Sequence, residues 1–294
     1  MRAVTNDFDI TNSVAAVASV LGFDPLSLIA LAAIVIIGLP HGAFDGAVAL
    51  ALGYGKDLKS MLVFTVSYLS IAALVVLFWL EFSELSLIIF LGISILHFGL
   101  GDSQPGSLVQ RGIQIIAHGG TVVILISLLN WSEVELIFDK LIGEKSVFLQ
   151  LIIVVCGYVM MGVLTSYFIL AYFRPKLRIR LVELVILAIL FGLVSPLVAF
   201  SLYFCGVHTP RHLARIWHAV SEDRRGRAKM LTLALVFTLA SWIAGGLSLW
   251  LVSAAETIDE AILRVVFIGL AALTVPHMIL VDGMFRRIQQ PFKV

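Results

Sequence analysis

The sequence predicts an all-α bundle of transmembrane helices, about nine spans with the N-terminus outside and the C-terminus in the cytoplasm, and three observations carry that expectation. Hydrophobic residues make up 60% of the 294 and charged residues 13%, with a mean hydropathy of +1.05, whereas about a quarter of a soluble domain is charged. The apolar residues fall into runs of the length that crosses a bilayer, about 20 residues each. Lysine and arginine collect in alternate connections between those runs, as they do in cytoplasmic loops. Residues 1–294 therefore read as a single integral membrane domain.

Taken in order, the spanning runs are residues 26–52, 60–81, 85–101, 110–130 and 146–173, then 228–253 and 260–285. The run 85–101 is short and contains His97. The run 181–220 is about twice the length one crossing needs, and it divides at Ser195-Pro196, because proline inside a helix removes a hydrogen bond and breaks or kinks the axis. That division brings the total to nine.

Alternate connections hold Lys56 and Lys59; Arg111; Arg174, Lys176, Arg178 and Arg180; Arg224, Arg225, Arg227 and Lys229; and Arg286, Arg287 and Lys293. The intervening ones hold Arg2, Lys140 and Lys145, a ratio of fourteen to three that places the former set inside. The outer connections carry acid instead, at Glu81, Glu84, Glu133, Glu135, Glu256, Asp259 and Glu260. A net charge of +1 leaves no basic face for a nucleic-acid partner. Cys156 and Cys205 both lie inside apolar runs, which argues against a disulfide framework or a paired-cysteine metal site. The opening residues are acidic and lack the basic start of a secretory signal, so the chain is expected to be unprocessed.

Six of the seven histidines fall within the spans: His41, His97, His118, His208, His212 and His277. His218 sits at a water boundary. At 1.5 Å per residue, His97, His118, His212 and His277 lie about 6 to 12 Å from the cytoplasmic ends of their helices, with His41 and His208 about 16 to 18 Å deep. Polar side chains in hydrocarbon are costly and face the bundle interior, where they mark function. The plainer account, interhelical hydrogen bonding worth about 0.6 kcal/mol per contact, applies best to His118, which is followed by Gly119-Gly120.

His208 and His212 are four residues apart in His-Thr-Pro-Arg-His, on one helix face, so their imidazoles can close on one ion. His41 stands in Gly-Leu-Pro-His-Gly-Ala-Phe-Asp45, His97 in His-Phe-Gly-Leu-Gly-Asp102, and His277 in Val-Pro-His-Met-Ile-Leu-Val-Asp282. Each has an aspartate about one turn later, and a carboxylate that accepts the second ring N–H orients a ligating imidazole and raises its basicity. Asp45 and Asp102 are the candidates for that role; Asp102 and Asp282 also read as ordinary charges at the membrane boundary. Pro40, Pro210 and Pro276 flank the same histidines, and irregular backbone at membrane depth is tolerated where it is buried in protein or lines a cavity. Phe44, Phe98, Tyr203, Phe204 and Trp217 lie near the histidines and could line a slot for a long apolar molecule, or simply pack the bundle.

By ligand chemistry alone a histidine-rich site of this kind is open to iron, copper or zinc. A redox metal inside an apolar bundle points to oxygen chemistry on an apolar substrate, since O2 and a lipid both reach it through the bilayer. Hydrolysis would need a wet site with a general base.

Together, Pro-His-Gly-Ala-Phe-Asp in the first span, His-Phe-Gly-Leu-Gly-Asp in the third, His-Thr-Pro-Arg-His in the seventh and Pro-His-Met-Ile-Leu-Val-Asp in the last resemble the Brp/Blh family of membrane-embedded beta-carotene 15,15'-dioxygenases, over about residues 30 to 285. The resemblance implies cleavage of the central double bond of beta-carotene by O2 at a non-haem Fe(II), giving two all-trans-retinal that a microbial rhodopsin can take up. Carried over by motif, the iron ligands and catalytic residues are His41, His97, His208 and His212. It assigns no role to His118, His218 or His277, of which His277 is the reserve ligand.

Other readings make different demands. A membrane di-iron hydroxylase or desaturase needs about eight histidines in several boxes, and here there is one box among seven histidines. A metal-ion or proton transporter would use the histidine layer as a relay, without bound iron or O2 consumption. A bis-histidine haem carrier would show a Soret band. A rhodopsin is excluded because no span carries a mid-membrane lysine.

Overall fold

The structure, a computed structural model, describes residues 10–54, 57–220 and 224–289. The opening residues and Arg2, Lys56 and Lys293, used above for processing and loop charge, lie outside the described residues, as do the side chains of Arg224, Arg225, Asp282, Arg286 and Arg287. The described residues form an all-α fold of eleven helices. In order they are α1 (Ile10–Val20), α2 (Pro25–Ala51), α3 (Leu58–Glu81), α4 (Ser83–Asp102), α5 (Leu108–Leu129), α6 (Trp131–Ile142), α7 (Val147–Phe173), α8 (Arg178–Phe191), α9 (residues 196–220), α10 (Arg224–Val252) and α11 (Ile258–Gln289).

Seven of these are long and apolar enough to cross a bilayer: α2, α3, α4, α5, α7, most of α10 and the first 24 residues of α11. The difference from nine lies in residues 181–220. Here α8 has 14 residues, about 21 Å at the helical rise, and α9 carries Arg211 and Arg215 in its second half. Leucines, valines and aromatics on the bundle perimeter, such as Leu151, Val155, Tyr158 and Phe168 on α7, are left exposed, as a lipid-facing surface requires.

Helix starts follow local chemistry. Asp24 caps α2 by accepting from the backbone N–H groups of Leu26 and Ser27, Asp57 caps α3 through Ser60, and Ser107 with Gln110 forms a reciprocal capping box on α5. Inside the bundle, α4 and α5 touch backbone to backbone. A Cβ on Gly99 would stand 2.0 Å from the carbonyl oxygen of Ile115, and one on Gly119 1.9 Å from that of Ile95. Glycine is thus the residue that lets α4 lie so close while carrying His97.

Two helices that bring histidines inward share a local irregularity. In α2 the segment Ile34–Gly38 widens to π geometry just before Pro40, and in α9 Phe204–His208 does so just before Pro210. Proline lacks an N–H and its ring clashes with the carbonyl four residues back; opening the preceding turn relieves that clash, and such bulges recur at functional sites. The N–H of Leu39 accordingly reaches back five residues to Ile34, and that of Thr209 to Phe204. Carbonyls freed in α2 find other donors: the indole of Trp242 on α10 bonds to Val35, and the imidazole of His41 bonds to Gly38.

Candidate metal centre

His41, His97 and His208 come from α2, α4 and α9, and each offers a ring nitrogen within 4.8 Å of the others. His41 and His208 are buried and His97 is partly so. The Nε2 atoms of His97 and His208 lie 3.0 Å apart, which is about the separation of two donors at right angles on an ion with metal–nitrogen bonds of about 2.1 Å. Nδ1 of His41 donates to the Gly38 carbonyl at 2.5 Å, which turns the other nitrogen, with its lone pair, away from the helix.

Two further imidazoles close the cluster. The ring of His212 lies 5.4 Å from that of His41 and 5.9 Å from that of His208, and the ring of His277 lies 5.4 Å from His41, 5.2 Å from His97 and 4.9 Å from His212. Both His212 and His277 are 3% exposed, and in both Nε2 is buried without a hydrogen-bond partner. Leaving such a nitrogen desolvated and unpaired costs about 1–3 kcal/mol. Five imidazoles around one point, with two orphaned ring nitrogens and neither cysteine among them, fit a borderline metal such as Fe(II).

The remaining histidines lie elsewhere. His118 bonds Tyr167 of α7 through Nε2 at 3.2 Å, so it joins α5 to α7 and stands apart from the cluster. His218 is exposed near the end of α9. The aromatic residues divide in the same way. Phe98, Tyr203 and Phe204 are buried; the rings of Phe98 and Phe204 lie 4.9 and 5.9 Å from that of His208, and Phe204 meets His41 edge-on at 5.1 Å. Phe44 packs against Val48, Ile216 and Leu280, and Trp217 lies at the bundle surface under Arg227.

Asp45 and Asp102 do not pair with the histidines of their own helices. Asp45 accepts from Nδ1 of His277 at 2.7 Å and from the hydroxyl of Tyr68 at 2.8 Å, because the Gly38 carbonyl has already taken Nδ1 of His41. Asp102 accepts from the hydroxyl of Tyr203 at 2.9 Å and from Arg211 at 3.0 Å. Arg211 also grips both oxygens of Glu183 on α8, at 2.6 and 2.8 Å. Residue 211 stands between His208 and His212, so this partly buried network ties to α4 and α8 the stretch of α9 that carries both imidazoles.

The sequence matches the family described as beta-carotene 15,15'-dioxygenase over residues 32–285. The chain belongs to that family. It is 36% identical over 262 residues to the beta-carotene 15,15'-dioxygenase of uncultured marine bacterium 66A03, covering 87% of this chain and 93% of that one. It is 26% identical over 293 residues to the probable beta-carotene 15,15'-dioxygenase Blh of Halobacterium salinarum, covering 87% and 83%. No solved structure matches the chain.

Within this beta-carotene dioxygenase family member, Tyr68, Glu183 and Arg211 surround the site without having been singled out from sequence. Glu183 and Arg211 carried a usable signal, since ionisable residues inside apolar runs mark functional interiors. Tyr68 carried none, because one tyrosine among the aromatics of a span looks like packing.

Proposed function

We propose that this chain cleaves the central 15,15' double bond of beta-carotene with O2, at a non-haem Fe(II) held by His41, His97, His208 and His212, and releases two all-trans-retinal. The observation that supports this most directly is the trio of imidazoles converging within 4.8 Å in a member of this family. In the balanced reaction the carbon–carbon double bond breaks and each carbon gains one oxygen atom of O2, so no reductant and no protein acid or base is consumed. Bound to four neutral imidazoles, ferrous iron would keep its full charge and open positions and supply the electrons that activate O2.

The chain's own residues do the rest. The Gly38 carbonyl holds the His41 ring in one tautomer. Phe98 and Phe204 press against His208 and His41 and keep water out. An open groove of about 560 Å³ between α3, α4 and α11, lined by apolar side chains including Val75, Phe78, Phe90, Ile93 and Val275, is the approach we assign to the polyene. Its end at Ile93 is one helical turn from His97. A hydrocarbon offers no hydrogen bonds, so the choice of the central bond comes from how far the chain can slide before a ring stops it. Retinal would leave through the bilayer, where a rhodopsin could collect it. In this reading the bundle crosses the membrane nine times, N-terminus outside and C-terminus inside.

The test is product identification from beta-carotene supplied to purified protein under air and under nitrogen. Retinal alone is expected under air, two per carotene consumed, and none under nitrogen. Retinal formed without O2, or aldehydes of unequal length, would overturn the reading.

A further inference from the structure

We propose that the metal centre takes a fifth imidazole, His277, oriented for that role by Asp45 and Tyr68. This rests on the metal reading above and goes beyond the four-histidine set.

His277 follows Pro276 in the middle of α11 and is 3% exposed. Both oxygens of Asp45 are engaged, one by Nδ1 of His277 at 2.7 Å and the other by the Tyr68 hydroxyl at 2.8 Å. Since the carboxylate accepts there, Nδ1 carries the proton and Nε2 the lone pair. That lone pair is buried, has no partner, and belongs to a ring within 5.4 Å of those of His41, His97 and His212. A carboxylate behind an imidazole whose front nitrogen faces other imidazoles is the arrangement that holds metal ligands and raises their basicity. A general base would instead present its front nitrogen to a hydroxyl or thiol, and among the described residues none bonds to it.

His212 and His277 have the same standing. Both lie outside the trio, both have an orphaned Nε2, and their rings are 4.9 Å apart. Geometry gives no ground for counting one as a ligand and not the other, and His277 alone among the five has a carboxylate behind it. It is also the second histidine, with His41, that the cluster receives directly after a proline, so two proline-bearing helices bring their rings to one cluster.

The experiment reads metal binding and not turnover. Purified protein in detergent is stripped with a chelator and titrated with Co(II), whose visible band reports coordination number. Wild type should bind one Co(II) per chain. His277→Ala and His277→Gln should bind at least tenfold more weakly with an altered band, and added imidazole should restore the wild-type band in His277→Ala, which a merely structural role would not allow. Asp45→Asn should weaken binding about 10- to 100-fold, and His118→Ala should match wild type. If the His277 variants keep wild-type affinity and spectrum while His41→Ala loses the metal, the fifth ligand is overturned and the four-histidine site stands. Failure of wild type to bind Co(II), or wild-type binding by His41→Ala, overturns the metal reading and this inference with it. Should His277→Ala not accumulate, His277→Gln and Asp45→Asn decide the matter by the same criteria.

Discussion

At the scale of single residues, the segment from His208 to His218 separates chemistry from packing. His208 and His212 project into the cluster, Arg211 between them is tied to Asp102 and Glu183, and His218 lies exposed two turns further on. His208→Ala and His212→Ala are each expected to abolish the bleaching of beta-carotene in cells that accumulate it, with membrane levels of the protein unchanged. His218→Ala is expected to keep most of it. A folding defect would strike all three alike, so equal loss in His218→Ala at normal protein level would show that the site is drawn wrongly. The histidines themselves were legible in the sequence, since each is a costly residue in an apolar run. Their partners were not. Asp45 lies one turn from His41 and so suggested a pair within one helix. Which carboxylate meets which ring depended on where Pro40 left a free carbonyl and on how α11 packs against α2.

At the scale of the helix, the irregular turns are what aim the histidines. The bulge Ile34–Gly38 and the bulge Phe204–His208 meet face to face, and a Cβ on Gly38 would stand 2.3 Å from the Phe204 ring, so the two turns pack as closely as glycine allows. Proline inside a helix costs about 3 kcal/mol relative to alanine, a cost that here fixes His41 in place. Pro40→Ala returns an N–H to the ladder and favours regular α geometry, in which the Gly38 carbonyl is taken by backbone and lost to His41. The variant is therefore expected to unfold at the same or a higher temperature than wild type while holding its metal less tightly. Thermal unfolding and metal titration on one preparation check this; a variant that loses stability and keeps metal affinity would show that the bulge serves the fold and not the site. The prolines marked these places in the sequence, whereas π geometry has no residue signature of its own and emerged only from the hydrogen bonds.

At the scale of the whole molecule, the direction of the bundle turns on α8 and α9. Seven long helices and nine crossings are both odd numbers, so the proposed orientation from the lysine and arginine distribution, N-terminus outside and C-terminus inside, would be the same in either case. The charge distribution therefore does not separate a hairpin that crosses from one that stays within the membrane, and a 14-residue helix falls short of the roughly 30 Å of hydrocarbon. Polar contacts made by the turn between the two helices bear on it. The amide of Asn130, just past the end of α5, donates to the Phe191 carbonyl at 2.9 Å. Ser195 lies 3.4 Å from Ser27 in the first turn of α2. Both partners belong to the outer ends of their helices under the charge rule, and Leu193 in this turn is 76% exposed. A Leu193→Cys variant in a cysteine-free background should then react with a membrane-impermeant maleimide in intact cells, and Arg178→Cys only after permeabilisation. Labelling of Leu193→Cys that waits for permeabilisation would place the turn inside. The chain would then cross seven times, with the His208 and His212 helix entering from the cytoplasmic side as part of a re-entrant pair.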